Sequence, residues 1–294
     1  MKSRLQIVAG VAPSKRWLPA GPWQTVLDFL REEYAQVDVE AWTARMARGE
    51  VIDEQGRCVD PETAYRTGAC IFYYRELEGE PEIPFVEQVL YQDEHILVAD
   101  KPHFLPVIPG GRFLHETLLV RLRKRYQYEG LVPVHRLDRE TAGLVLFSLN
   151  PETRRRYTSL FRNRQVRKVY EALAPRSKTA KFPHVRRSRI VQGEPFFRMK
   201  EVRGEANSET EVMRMRDLGS HSLYQLVPAT GKKHQLRLHL AALGIPIIND
   251  TLYPKISRTE SDDFSRPLKL LAKSLSFQEP LSGRQLYFES GREL

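Results

Sequence analysis

Apolar positions along the chain follow two periods, and each predicts a different kind of element. Leu144, Val145, Leu146 and Phe147 form an unbroken apolar run, too short and too rich in β-branched and aromatic side chains for a helix. The run predicts a central strand, and Thr141, Ala142 and Gly143 before it predict a turn. Residues 166–174 alternate with period two, which predicts a strand carrying Lys168, Tyr170 and Ala172 on one face. Trp23, Val26, Leu27 and Leu30 recur at helical spacing, and residues 41–48 read as a second helix stopped by Gly49. Short strands are expected at Val51, at Cys58 and Val59, and over residues 71–74, with Gln55 and Gly56 as a turn. Asn150 and Pro151 fit the N-cap and first position of a helix reaching about Asn163, with Tyr157, Leu160 and Phe161 inward. Thr230 and Gly231 make a turn before a helix from about His234 to Leu243, closed by Gly244 with Pro246 beyond. Residues 176–189 are basic and lack an apolar period, so a surface loop or insert is expected there.

Strands and helices mix without a regular βαβ rhythm, which predicts an α+β fold. The acidic, proline-bracketed stretch 76–84 reads as an exposed linker, dividing the chain into a small unit at 1–80 and a larger one at 81–294. Composition removes several classes of function. No apolar run approaches membrane-spanning length and the N-terminus lacks a hydrophobic signal core, so a cytoplasmic protein is expected. Cys58 and Cys70 have no CxxC spacing, and His234 and His239 stand five apart rather than four, so neither a disulfide framework nor a metal site is expected. The net charge of +9 changes the picture once it is located. Residues 1–75 hold ten basic and ten acidic side chains, whereas residues 121–216 hold 24 basic against 10 acidic. A single charge run is usually a solvated face, but an excess this concentrated suits a polyanion bound through its phosphates.

The candidate chemistry lies inside that basic region. Asp138 sits between Arg136 and Arg139 directly before the central strand, where a rigid sheet can hold a carboxylate still and two guanidinium groups can keep it ionised. An isolated aspartate of this kind is more often a structural ion pair. Further motifs change that weighting. His135, Arg136, Leu137 and Asp138, followed by Thr141 and Gly143, resemble the signature loop of the RluA family of RNA pseudouridine synthases. Tyr91, Gln92 and Asp93, then Ile96, Leu97 and Val98, then Asp100, Lys101 and Pro102, resemble its first core motif. Arg167 to Ala172 resembles its second-strand motif. The run from Gly231 through His234, Gln235 and Arg237 to Leu240, with Gly244, Pro246, Asp250 and Tyr253 beyond, resembles its C-terminal motif. Three positions depart from the pattern: Ala142 and Lys233 stand where Ser or Thr is usual, and Phe104 where glycine is common.

The resemblance implies a catalytic core with a mixed, largely antiparallel sheet flanked by helices and loops, preceded by a small N-terminal α/β appendage. It implies isomerisation of uridine to pseudouridine in RNA with no metal, nucleotide or other cofactor, by a protein expected to be a monomer. By the same resemblance Asp138 is the reactive carboxylate, Arg237 its paired guanidinium, and Tyr170 the ring beneath the target uracil. Arg136 is the wedge that fills the space left by a flipped nucleotide. Arg139, Lys101, Lys168, Lys232 and Lys233 are then phosphate contacts, and His135, Thr141, Gly143, His234 and Gln235 support the site. The expected substrate is 23S ribosomal RNA, with transfer RNA as the alternative. A non-catalytic RNA-binding or assembly protein is the competing class, disfavoured because Asp138, Tyr170 and Arg237 are all present. The order Trp42, Arg45, Met46, Gly49, Val51 loosely resembles an S4-type RNA-binding module.

Overall fold

The run 144–147 is continuous because both faces of its strand are covered. The computed structural model describes residues 6–77, 79–257 and 262–294. In chain order its elements are β1 (Ser14–Trp17), α1 (Val26–Glu33), α2 (Val39–Ala47), β2 (Val51–Asp53), β3 (Cys70–Tyr73), β4 (Gln88–Gln92), β5 (Ile96–Lys101), α3 (Leu118–Tyr126), β6 (Val132–Pro133), β7 (Ala142–Ser148), α4 (Arg154–Arg162), β8 (Arg167–Pro175), β9 (His184–Gln192), β10 (Met199–Val202), β11 (Ser208–Leu218), β12 (His221–Pro228), α5 (Gln235–Ala242), β13 (Leu270–Gln278) and β14 (Gln285–Glu289). Val145 and Phe147 of β7 join Leu97 and Ala99 of β5 in a core beneath Leu118, Leu119 and Leu122 of α3. Leu144 and Leu146 face the other way, joining Ile96 and Val98 against Tyr157 and Leu160 of α4. A third core packs Leu236 and Leu240 of α5 on Ala172, Tyr224 and Leu226 of β8 and β12.

The main sheet runs in the order β10-β9-β11-β12-β8-β13-β7-β5-β4, with β14 beside β13 and β6 beside β7. This is the expected α+β architecture. Among the described strands only β7 and β13 pair in parallel, with Ala142 opposite Leu271 and Gly143 opposite Ala272. Gly143 has φ +110°, and a Cβ there would lie 2.3 Å from the Ala272 carbonyl oxygen. Both the backbone conformation and the close approach require glycine. Gly143→Ala is therefore expected to destabilise the fold by more than about 4 kcal/mol, read as a collapse of the urea midpoint or loss of soluble protein.

Three local expectations are corrected. Of the loop expected over 176–189, residues 184–189 belong instead to strand β9: Arg186 pairs with Glu201, Arg187 with Glu209, and Ser188 shares hydrogen bonds with Ser208 and His239. Apart from the buried Ile190, its inward face is polar yet satisfied, so no apolar period marks it. The helix expected at Asn150 begins at Arg154, because the Asn150 side chain accepts from Glu152 N and caps a turn ahead of the helix. Within the stretch 76–84, residues 80–83 are strapped down. Glu80 accepts from the backbone N–H groups of Leu114, His115 and Glu116, and Ile83 is buried in the main core.

The first unit packs its own core, with Phe29, Leu30, Trp42, Val51 and Ile71 joining α1 and α2 to a three-stranded sheet ordered β1-β3-β2. Thr25 and Asp28 cap α1 reciprocally. Within the same residues 1–80, Val11 lies against Leu114 and Val120 of the larger unit.

Candidate active site

The loop entering β7 and the turn entering α5 meet at one cleft. Asp138 O accepts from Thr141 N at 3.1 Å, closing the turn that holds the Asp138 carboxylate at the strand mouth, its side chain 26% exposed. Opposite it, Gln235 fastens the second turn. Its side-chain oxygen accepts from Thr230 Oγ1 and Lys232 N, while its amide nitrogen donates to Glu209 O and Thr210 Oγ1. His239, one helical turn further on, bonds Thr210, Ser188 and Ser208, and its burial drops the imidazole to about 4. Gln235 and His239 thus anchor the helix. Among the described residues no three His, Cys, Asp or Glu side chains are grouped to hold a metal ion.

Arg237 is 1% exposed and reaches three carboxylates. Nε and Nη2 donate to both oxygens of Asp250 at 2.9 and 2.7 Å, and Nη1 lies 2.7 Å from Glu140 and 3.8 Å from Asp138. The expected Arg237–Asp138 ion pair is present, and it is the longest of three. Two carboxylates hold the guanidinium directly, and Asp138 takes its longer-range attraction. Burial works against the charge, but the Asp250 hydrogen bonds and the Glu140, Asp250 and Asp138 charges more than offset it and raise the pKa. Neither Glu140 nor the partnership of Asp250 was singled out in the sequence; the signal was an acid two residues beyond Asp138 and one at the end of the C-terminal motif. Asp250 also accepts from Leu252 N and Tyr253 N, fixing the turn that follows.

Two further corrections concern cations. Lys101 is fully buried and donates to the carbonyl oxygens of Pro102, Leu105 and Arg139, so it cannot meet a phosphate. It pins the 102–105 loop to the residue after Asp138, and burial drives its amine far down. Phe104 in that loop has φ +66°, the backbone state that makes glycine common there. Arg139 grips Asp262 through two hydrogen bonds at 2.7 and 2.8 Å and stacks on Phe104 and Phe113. It is committed to the protein. Arg136 is exposed and has no ion pair to any described residue, so Arg237, at 3.8 Å, is the guanidinium that faces the Asp138 carboxylate.

The cleft measures about 1350 Å³ and is lined by nine cationic side chains against the two acids Asp138 and Glu205. Arg136, Lys168, Lys232 and Lys233 are among them, joined by Arg162, Arg164 and Arg189, which the sequence reading passed over. Arg189 was hidden by the loop expectation, since only the alternation of β9 turns it toward the cleft. Lys168 reaches the Thr230 carbonyl at 3.4 Å, and burial lowers its pKa. Tyr170, partly buried on β8, lines the same space; burial first and Asp138 second raise its phenol pKa, so it keeps its proton at neutral pH. His135 accepts from Leu146 N and stacks on Phe161 at 4.5 Å, and burial holds it neutral with a pKa of about 3.

This basic cleft around one carboxylate has counterparts. The model of the RNA pseudouridylate synthase family matches residues 95–242, from β5 through α5. An RNA pseudouridine synthase of Synechocystis is 32% identical over 234 residues, covering 78% of this chain and 79% of its own. The dual-specificity RNA pseudouridine synthase RluA of Haemophilus influenzae is 30% identical over 218 residues, 73% of this chain and 97% of its own. The chain belongs to the RluA family of RNA pseudouridine synthases. It is an isomerase that converts uridine to pseudouridine in RNA. A solved human RNA pseudouridylate synthase domain-containing protein shares the synthase fold, with TM-score 0.59 and 24% identity over 72% of this chain and 86% of that one. Among the described residues of the synthase no helix is long and apolar enough to cross a membrane.

Proposed function

We propose that this synthase isomerises uridine in structured RNA with Asp138 as its catalytic carboxylate, and that its substrate is 23S ribosomal RNA. The observation that carries the reading is the Asp138 carboxylate, the one acid beside the buried Arg237 that opens onto the cationic cleft. In the reaction the N1–C1′ bond breaks and a C5–C1′ bond forms. The C5 proton leaves, and N1 ends with a proton. Electrons and atoms balance without an external reagent, and a carboxylate at the ribose as nucleophile or base meets the need, provided the detached uracil is held close. Tyr170 supplies a ring to stack on that base, and Arg136, exposed beside Asp138, is the wedge for the flipped state. Lys168, Lys232, Lys233, Arg162, Arg164 and Arg189 take phosphates. The separately packed first unit, balanced in charge, serves target choice rather than chemistry, in a cytoplasmic monomer.

A second reading takes more than one RNA target, transfer RNA being the alternative drawn from the motifs, and the 30% identity to a synthase described as dual-specificity favours more than one target. Mapping pseudouridines in total RNA from cells with and without the gene tests both. Loss at one or more 23S positions is expected. Loss in both ribosomal and transfer RNA would replace the first reading with the second, whereas loss confined to transfer RNA, or an unchanged map, would reject both.

A further inference from the structure

Asp138 faces a second polar group besides Arg237. His234 Nε2 lies 3.9 Å from Asp138 Oδ1, too far for a direct hydrogen bond and close enough for its polarity to matter at a partly buried carboxylate. His234 is itself buried, at a left-handed backbone position with φ +56° that starts α5. Its Nδ1 lies 3.0 Å from the Tyr253 hydroxyl, so the partner of one ring nitrogen decides what the other presents to Asp138. Burial lowers its pKa more than Asp138 raises it, and the ring is neutral, carrying one proton.

The Tyr253 hydroxyl decides where that proton sits. Its oxygen accepts from Met199 N on β10 at 2.8 Å, leaving its own hydrogen for His234 Nδ1 at 3.0 Å or for the Met199 carbonyl at 3.2 Å. If the hydrogen went to the carbonyl, Nδ1 would carry the ring proton and the bare Nε2 lone pair would face a carboxylate oxygen. Donation to Nδ1 instead puts Nε2–H toward Asp138, and every donor from Met199 onward then points at the negative charge. Tyr253 is held for this by Asp250, which accepts its backbone N–H, and by Arg198 over its ring at 5.0 Å. We propose that Tyr253 is a positioning residue that fixes the Nε2–H tautomer of His234, so that His234 orients and stabilises the ionised Asp138 during isomerisation.

The inference rests on Asp138 being the catalytic carboxylate, and the test separates the two. Full-length enzyme in excess is mixed with RNA from cells lacking the gene, labelled with 5-tritiated uridine, and tritium release is followed in a single turnover. Tyr253→Phe keeps the ring and removes only the hydroxyl. It is expected to slow release about tenfold with RNA affinity unchanged, the scale of one hydrogen-bond donor directed at a charge. His234→Gln supplies an amide N–H near the Nε2 position that needs no tautomer. It should slow release by no more than about threefold on the same scale. In that background Tyr253→Phe should add nothing. Equal slowing by Tyr253→Phe in both backgrounds, or no slowing in the native one, would overturn the proposal. Nitrogen-15 NMR of labelled histidine gives a reading independent of the variants: the His234 proton is expected on Nε2 in the native enzyme, and a proton on Nδ1 would also overturn it. Asp138→Asn is assayed alongside. An inactive Asp138→Asn with a failed cycle rejects the tautomer relay alone, whereas an active one rejects the site reading beneath it.

Discussion

Asp138→Asn is expected to abolish pseudouridine formation, by roughly 10⁴-fold or more in a single turnover, while leaving RNA affinity nearly unchanged. The amide keeps the shape of the side chain and loses the nucleophilic or basic oxygen. The variant should also fold. Arg237 keeps Asp250 and Glu140, each at 2.7 Å, so removing the charge at 3.8 Å leaves no buried cation unpaired. Tritium release from labelled RNA reads the chemistry and filter binding reads the affinity. Activity within tenfold of the native enzyme would remove Asp138 from the chemical step.

Arg237→Lys should be nearly as damaging despite its unchanged charge, and in a different way. An ammonium is a point charge on a flexible stem and cannot hold both oxygens of Asp250 while also meeting Glu140. Asp250 and Glu140 are each about nine-tenths buried, and a carboxylate left unpaired there costs about 3–5 kcal/mol. The expected result is therefore a double loss, with a lowered urea midpoint and a slowed single turnover at saturating enzyme. A slowed turnover with native stability would mean that Arg237 acts mainly on Asp138 rather than through Asp250. Native values for both would place the guanidinium outside the site's electrostatics altogether.

What the sequence disclosed follows from the range of the interactions involved. The central strand was legible because covering both faces leaves a local mark, four apolar residues in a row. The end of α5 was legible because Gly244 adopts φ +75°, which one residue type favours. The strand over 184–192 was not, since its polar side chains are satisfied by Glu201, Ser208, Glu209 and His239, and nothing within nine residues reveals those partners. The site divides in the same way. Motif spacing brought Asp138, Tyr170 and Arg237 into view, and the structure sets them around one cleft. Lys101 and Arg139 were misread because a lysine or arginine inside an RNA-enzyme motif looks solvated until three carbonyl oxygens or a distant Asp262 close on it.

The parallel contact of β7 with β13 has a bearing on when, not only how, the enzyme works. The strand that seats Gly143, five residues beyond Asp138, rests against a partner translated some 130 residues later, and Asp100 waits longer still for Ser290 and Arg292. Until residues 270–272 have left the ribosome, β7 has β5 along one edge but nothing beside Ala142 and Gly143 on the other, so the carboxylate loop is supported from one side only. A nascent chain with every basic side chain of the cleft already exposed is thus a polyanion binder before it is a catalyst. Activity arrives in a late step, and the interval between the two is set by translation of residues 238–292.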